Sequence, residues 1–325
     1  MDKVLKTMIT STKAIHKGVI DVRTQKLYHY TSPEGLLGIF NEQTPKLFFS
    51  QYDSLNDTKE RKDIFEILHK LCFKLLESNK VSKELYDTIL SIQTSDVFGI
   101  LRKNNKKPIS ENCISCNENM IFSREECYTY ICSFSGNNDS LPMWRMYSKS
   151  NHYEGYCIEI STSAFKQEIN CGKGFSIDIF KVIYDEEEKF RLIKNVLLPI
   201  AKVYDSCSNK EKENFIYIIE HMIYEFQFIF KNKAFAYEDE IRAVLHMPKN
   251  EKSCENIISE RKYRQSNGLI VPYVVCSLNP LNIKSITIAP TIKEEIAKNN
   301  LKDYLDSKKL SHVKIISSDI PIRTI

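Results

Sequence analysis

The order of strand-like and helical segments constrains the fold of this 325-residue chain more than any other feature. Runs rich in aromatic and β-branched residues predict strands in three regions, about residues 27–53, 128–184 and 237–318. Helical periodicity fills two blocks between them, about residues 58–100 and 185–230. Because the two kinds of segment do not alternate as βαβ units, their order predicts an α+β fold rather than a doubly wound sheet. We expect residues 1–325 to form a single domain, with both helical blocks inserted into a sheet.

The composition is that of an ordinary globular protein, with 42% apolar and 27% charged residues. The net charge of +4 is weak, and no long basic run marks a nucleic-acid-binding arm. The first residues contain no secretory signal, and no stretch is apolar enough to span a bilayer, so we expect no membrane partner. Ten cysteines without a signal indicate reduced thiols and a cytoplasmic location.

Four cysteines raise the question of a zinc site. Cys113 and Cys116 have C-x-x-C spacing, and Cys127 and Cys132 follow. Four thiolates can hold zinc tetrahedrally. The second pair is irregularly spaced and Cys132 lies in a predicted strand, so loop thiols plus one buried cysteine are the preferred interpretation. We therefore expect no metal, and zinc binding by these four residues stays open.

The stretch KLYHYTSPEGLLGIF places a histidine at the end of a predicted strand. His29 precedes the hydroxyl of Thr31, and Ser32 is a suitable N-cap for a helix that begins at Pro33. Such a corner can hold a ribose and a pyrophosphate beside the free N–H groups of the helix. The alternative is a half-buried structural histidine. The two common phosphate-binding loops, GxGxxG and GxxxxGK[ST], are absent from the sequence.

The stretch YEDEIRAV is a second candidate site. On a strand, Glu238, Glu240 and Arg242 would point to one face. Arg242 would then keep one carboxylate ionised and oriented. The alternative is a solvated strand edge with no chemistry.

Two aromatic residues lie in MWRMYSK, three positions apart. Trp144, the only tryptophan, and Tyr147 would share one face of a helix. They could form an aromatic wall against nicotinamide or a base, whereas core packing is the alternative for Trp144. In the polar turn after the second strand, the role of Asn56 stays open.

The ordered motifs YHYTS, LFFS…LND, CSFS…MWRMY…GYCIEI, AYEDEIR and SSDIPIR resemble one bacterial family. It is the domain-of-unknown-function family twenty-nine seventy-one, and the resemblance covers roughly residues 27–320. The family name conveys no activity. The resemblance implies a setting in phage defence or abortive infection for some members.

A second resemblance is mechanistic and concerns the ADP-ribosyltransferase superfamily. It implies a split mixed or antiparallel sheet and NAD as a substrate. His29 and Thr31 would bind the adenosine ribose, and Tyr147 or Trp144 would stack on nicotinamide. Glu240 would hold the nicotinamide ribose and stabilise an oxocarbenium-like transition state, and Glu238 would orient an acceptor. The implied catalytic set is His29, Glu238, Glu240 and Tyr147, and the implied cofactor-binding set is His29, Tyr30, Thr31, Ser50, Asn56, Ser133, Trp144 and Arg242.

The leading hypothesis is therefore an NAD-consuming ADP-ribosyltransferase or NAD glycohydrolase, acting as a toxin or phage-defence effector. Its acceptor would be protein or nucleic acid, with a phage-derived trigger or an accessory subunit as a further partner. One alternative is a metal-independent nuclease in which His29, Glu240 and Arg242 serve as base, acid and phosphate clamp. Another is a non-catalytic sensor that binds a phage protein or a nucleotide.

Overall fold

The structure is a computed structural model. It describes residues 3–18, 26–54, 60–92, 127–147, 154–165, 175–249, 251–254, 257–266 and 268–322. Statements about structure below concern these residues.

The chain divides into two compact units, each built from three segments. Unit 1 consists of Met1–Ile20, Asn56–Cys127 and Lys181–Phe235, and unit 2 of Asp21–Leu55, Tyr128–Phe180 and Ala236–Ile325. The single-domain organisation stays a prediction.

The described α-helices are α1 (Lys3–Gly18), α2 (Pro33–Ile39), α3 (Glu60–Glu77), α4 (Lys83–Ser91), α5 (Leu141–Tyr147), α6 (Glu186–Ala201), α7 (Asn209–Phe226) and α8 (Glu294–Ser307). The described strands are β1 (Lys26–Thr31), β2 (Lys46–Gln51), β3 (Cys127–Ser135), β4 (Tyr156–Ser161), β5 (Ser176–Lys181), β6 (Glu240–Pro248), β7 (Lys262–Ser266), β8 (Leu269–Ser277), β9 (Ile283–Ile288) and β10 (Lys314–Ser317).

Unit 1 is helical and contains α1, α3, α4, α6 and α7. Its helices bury one apolar face each, which is why the two helical blocks were recognisable from periodicity. The Ser11 hydroxyl of α1 donates to the Val196 carbonyl of α6 at 2.9 Å. Helix α6 begins after the N-cap Asp185, whose side chain accepts from the Glu188 N–H at 2.9 Å. The acidic run at 186–188 therefore complements the helix dipole, as the sequence predicts.

Unit 2 is built on a ten-stranded sheet with the order β10-β9-β4-β1-β3-β2-β8-β7, and β6 pairs with both β3 and β5. Strands β9 and β10 are parallel, whereas the pairs β1–β4, β2–β8, β4–β9 and β7–β8 are antiparallel. The mixed sheet together with the helices confirms the α+β class.

Strand β3 is a branch point of this sheet, because it pairs with β1, β2 and β6. Strand β1 meets it at Ser135, which lies opposite Tyr28, and β2 meets it at Ile131, opposite Ser50. A strand has only two hydrogen-bonding edges. At least two of the three strands that pair with β3 therefore bond to the same edge of β3, at different positions along it.

The two faces of the sheet differ in chemistry. The core face carries alternate apolar residues of each strand, among them Leu27, Phe134 and Ile241, and packs against α2 and α8. Residues between them in sequence point to the opposite face. We call this the polar face, and its buried polar residues include Ser50, Ser135, Glu240 and Arg242.

Two expectations need correction. The predicted strand at 237–247 begins only at Glu240, because the preceding residues Lys233–Glu238 form a 3-10 helix. Cys254 is disulfide-bonded, so the expectation of reduced thiols does not hold for this residue.

Candidate functional site

A hydrogen-bonded cluster of Ser133, Glu240 and Arg242 lies on the polar face of unit 2. The Arg242 guanidinium donates twice to the Glu240 carboxylate, from Nε to Oε1 and from Nη2 to Oε2, both at 2.9 Å. The Ser133 hydroxyl donates to Oε1 of the same carboxylate at 2.7 Å. The arrangement fixes the carboxylate from two neighbouring strands.

Local sequence explains this geometry. Glu240 and Arg242 are two positions apart on β6, so their side chains leave the same face and can meet. Their side chains are only 6% and 2% exposed, and a buried carboxylate needs a paired charge and further hydrogen bonds. Arg242 supplies the charge and favours the ionised carboxylate.

The turn before β6 orients Glu240. Asp239 has a φ of 43°, a left-handed conformation that is unusual for a residue with a side chain. It is held from the end of β3, where the Gly136 N–H donates to the Asp239 carbonyl at 2.8 Å and the Ser135 hydroxyl donates to the Glu238 carbonyl at 2.8 Å. A Cβ at Gly136 would lie 2.1 Å from Oδ2 of Asp239, so this close approach requires glycine or a shifted Asp239 side chain.

This turn corrects the predicted Glu-x-Glu-x-Arg face. Glu240 and Arg242 do share a face, as predicted. Glu238 is buried but ends the 3-10 helix, so the prediction that it continues the strand was wrong. Its proposed role toward an acceptor stays a prediction.

His29 contacts the same cluster through the main chain of β3. Its Nδ1 lies 3.2 Å from the Ser133 carbonyl oxygen, and its ring packs edge-on against Phe134 with centroids 5.6 Å apart. Burial lowers the pKa of His29, so the neutral imidazole is favoured. Strand alternation places the ring on the core face with Leu27, whereas Glu240 is on the polar face. His29 and Glu240 therefore both bond to Ser133 but from opposite faces of the sheet.

Tyr30 and Trp144 form a second network beside this cluster. The Tyr30 hydroxyl donates to the Asn137 carbonyl at 2.9 Å and accepts from the Ser140 N–H at 3.0 Å. Its ring packs edge-on against Trp144 at 4.7 Å, and burial raises the pKa of Tyr30. Trp144 is 1% exposed, which agrees with the core-packing alternative. Tyr147, at the end of α5, is 41% exposed and lies 6.2 Å from the Tyr30 ring.

Asp139 completes this network. It accepts from Nε1 of Trp144 at 2.7 Å, from the Ser318 hydroxyl at 2.6 Å and from the Asp319 N–H at 2.8 Å. The loop after β3 thereby holds Ser318 and Asp319, near the end of the described chain.

The predicted helix start after β1 is confirmed. The Ser32 hydroxyl caps α2 by accepting from the Gly35 N–H at 3.2 Å, and Pro33 is the first residue of the helix. Thr31 is buried, and a Cβ added at Gly35 would lie 2.0 Å from its Oγ1. Thr31 thus packs against α2, and its role toward a ribose stays a prediction.

Ser50 is also buried on the polar face, but its hydroxyl accepts from Nη2 of Arg264 at 2.9 Å. Asn56, Cys113 and Cys116 lie outside the described residues. Cys132 is buried, and the described part of the chain holds no group of three or more His, Cys, Asp or Glu residues that could bind a metal.

Sequence interpretation missed three features of this region. Asp139 carries no assigned role from sequence, although an acidic residue five positions before the only tryptophan could suggest an indole partner. The left-handed Asp239 carries no local signal, since Gly is the usual residue there. Strand β7, which carries Arg264, was overlooked, although Asn267-Gly268 is a common hairpin signal.

The fold and site define an α+β protein in which the half-buried Ser133 and the buried pair Glu240 and Arg242 form a cluster at the branch point of the sheet. A family model described as Protein of unknown function (DUF2971) matches residues 143–243, and this match supports the DUF2971 family that the sequence motifs predict. The matched segment contains Trp144, Glu240 and Arg242, whereas His29 and Ser133 precede it. No curated protein and no solved structure matches the chain. None of the described helices is long and apolar enough to cross a membrane.

Proposed function

We propose that this protein consumes NAD, as an ADP-ribosyltransferase-like enzyme or an NAD glycohydrolase, with Glu240 as its catalytic carboxylate. The observation that carries the proposal is the fixed position of Glu240, which Arg242 and Ser133 hold with three hydrogen bonds. A preorganised carboxylate stabilises positive charge without reorganisation at the moment of reaction.

The chemistry requires such a group. The bond between the ribose anomeric carbon and the nicotinamide nitrogen breaks, and its electron pair leaves with neutral nicotinamide. The anomeric carbon becomes oxocarbenium-like, and the Glu240 carboxylate stabilises this charge. Water or an acceptor hydroxyl, amine or amide then bonds to the anomeric carbon and releases a proton to solvent.

In this proposal Ser133 and His29 are positioning residues. Ser133 orients one oxygen of Glu240, and His29 bonds to the Ser133 carbonyl from the core face. The branching of the sheet at β3 supports the resemblance to split-sheet ADP-ribosyltransferases, because it brings β1, β3 and β6 to one place.

The wider setting follows the same proposal. The protein would act in the cytoplasm as a toxin or phage-defence effector, with a protein or nucleic-acid acceptor. A phage-derived trigger or an accessory subunit would be a further partner.

The test is nicotinamide release from NAD by the purified protein, with and without cell extract. We expect Glu240→Gln to lower the rate about 100-fold or more, because the carboxylate charge is lost. Ser133→Ala keeps the ion pair and removes one hydrogen bond to a charged group, so we expect about a tenfold loss. Circular dichroism and thermal unfolding of each variant show whether the fold is retained.

Glu159→Gln is the matched control. Glu159 on β4 also accepts from a serine, Ser285 at 2.7 Å, and pairs with a cation, Lys26 at 2.8 Å. Its substitution should leave nicotinamide release unchanged. If folded wild-type protein releases no nicotinamide and modifies nothing in extract, the proposal fails. Degradation of RNA or DNA without NAD would favour the nuclease alternative instead.

A further inference from the structure

Strand β7 combines positive charge with aromatic rings on an exposed edge of unit 2. It is the last strand in the order of the sheet, and all but one of its residues are exposed. Residues 249–264 carry five lysines and arginines against three glutamates. The two arginines here bond to neutral groups, Arg261 to Oε1 of Gln51 at 2.6 Å and Arg264 to the Ser50 hydroxyl at 2.9 Å. Their positive charge therefore stays available to an anion.

Tyrosine rings flank these cations. The Arg261 guanidinium lies 4.4 Å from the ring centroid of Tyr128 and 5.5 Å from that of Tyr263. Lys249 lies 5.4 Å from the Tyr128 ring. Tyr263 is 61% exposed, so its ring is open to a stacking partner. We call Tyr128, Lys249, Arg261 and Tyr263 the β7 site.

Two buried polar atoms at this site lack a hydrogen-bond partner in the described part of the chain. They are the hydroxyl of Tyr130, whose side chain is fully buried, and Nε of Arg261. Burial raises the pKa of Tyr130 to about 12, with the positive charge of Arg261 opposing the shift, so the hydroxyl stays protonated. The described part of the chain therefore leaves two polar atoms beside these cations unsatisfied, which costs free energy in the free protein.

We propose that the β7 site binds single-stranded nucleic acid, with Arg261 and Lys249 on phosphate oxygens and Tyr263 stacked on a base. Single strands are held in this way, by cations along the backbone and by aromatic rings that accept any base. Lys262 and Arg264 alternate with Tyr263 on β7 and point to its other face, so they add positive charge to the same exposed edge without contacting the tyrosine rings of the site. An acidic peptide would satisfy the cations but offers no regular series of rings for the tyrosines.

This binding does not require the proposed NAD chemistry. If both hold, the β7 site identifies nucleic acid, rather than protein, as the acceptor class.

The test is fluorescence anisotropy of labelled oligothymidylate and oligouridylate of about 20 nucleotides, titrated with the full chain at several salt concentrations and without NAD. We expect Tyr263→Ala to raise Kd about fivefold or more, because a stacked base loses its platform. Lys249→Ala should reduce the slope of log Kd against log salt by about 0.7, the value for one phosphate contact on a single strand. Tyr217 is an exposed tyrosine on α7 (43%), outside the β7 site, and Tyr217→Ala should bind like the wild type.

Several outcomes would overturn the proposal. One is absence of binding at low salt, and another is an unchanged Kd in both site variants. A third is that adenosine monophosphate binds in a Tyr263-dependent manner while the oligonucleotides do not, which would make the site one for free nucleotides. Because no NAD is present, each of these results leaves nicotinamide release untouched, so the two proposals can fail separately.

Discussion

His29 illustrates how a single residue can link two strands without touching the polar face. Its ring bonds to the main chain of Ser133, whose hydroxyl bonds to Glu240. Burial lowers the pKa of this ring and favours its neutral form, whereas the hydrogen bond to the Ser133 carbonyl opposes the shift.

The lowered pKa of His29 predicts a loss of stability in acid. As the pH falls below the ordinary histidine value of about 6.5, the unfolded chain binds a proton that the folded chain does not. The free energy of unfolding should therefore decrease as the pH is lowered, until the pH passes the pKa of His29 in the folded protein. We expect His29→Gln to have a shallower dependence than the wild type between about pH 7.5 and pH 5, measured by urea unfolding.

His69 contributes with the same sign, since burial also lowers its pKa, and it remains in both proteins. The difference between wild type and His29→Gln therefore isolates one ring. His312→Gln, which replaces an exposed histidine, serves as the surface control. Parallel curves for all three proteins would show that His29 does not titrate differently on folding.

The two glycines of helix α2 differ in whether the structure has room for a side chain. A Cβ at Gly35 would lie 2.0 Å from Oγ1 of Thr31, whereas a Cβ at Gly38 meets no atom within 4 Å. Helix propensity alone favours alanine at both positions by about 1 kcal/mol.

We expect Gly35→Ala to lower the free energy of unfolding by about 1–2 kcal/mol, because the stiff, buried Thr31 must move. Gly38→Ala should raise it by about 0.5–1 kcal/mol, since only backbone freedom changes. Urea unfolding of the two single variants measures both effects. Equal shifts of the same sign would contradict the contact with Thr31.

Elements differ in how far sequence can predict them. The start of α2 follows from Ser32 and Pro33, which act within one turn, and the prediction is confirmed. The shared face of Glu240 and Arg242 follows from strand alternation. The start of β6 could not be predicted, because the left-handed Asp239 is held by residues about a hundred positions earlier in the chain.

Strand β7 was missed for a different reason. Edge strands that expose both faces lack the apolar alternation on which strand prediction depends. Likewise, the bond from Ser133 to Glu240 joins residues 107 positions apart and has no local signal. Sequence thus predicts which residues of the cluster are chemically suitable, and only the fold decides which of them meet.

The whole molecule contains two compact units of different composition, one helical and one built on the sheet. The only tryptophan, Trp144, is in the second unit, whereas most helical residues are in the first. Tryptophan fluorescence therefore reports on the second unit, whereas circular dichroism at the helix band reports mainly on the first.

We expect the midpoint of urea unfolding measured by Trp144 fluorescence to differ from the midpoint measured by circular dichroism at the helix band. The reason is that separate units open with separate free energies. A truncated chain is unsuitable as a control, since each unit uses three segments. Tyr30→Phe should shift the fluorescence midpoint more than the dichroism midpoint, because it removes hydrogen bonds in the second unit only. Coincident midpoints in both proteins would instead indicate one cooperative domain, as the sequence interpretation predicts.

The interleaving of the two units also has a consequence for protein synthesis. Ser133 leaves the ribosome long before Glu240, which belongs to the final segment, Ala236–Ile325. A polypeptide that terminates before residue 240 lacks the carboxylate, together with the strands β8 and β9, which pair with β2 and β4. Under the proposed NAD chemistry, a translation product that ends before Glu240 would release no nicotinamide.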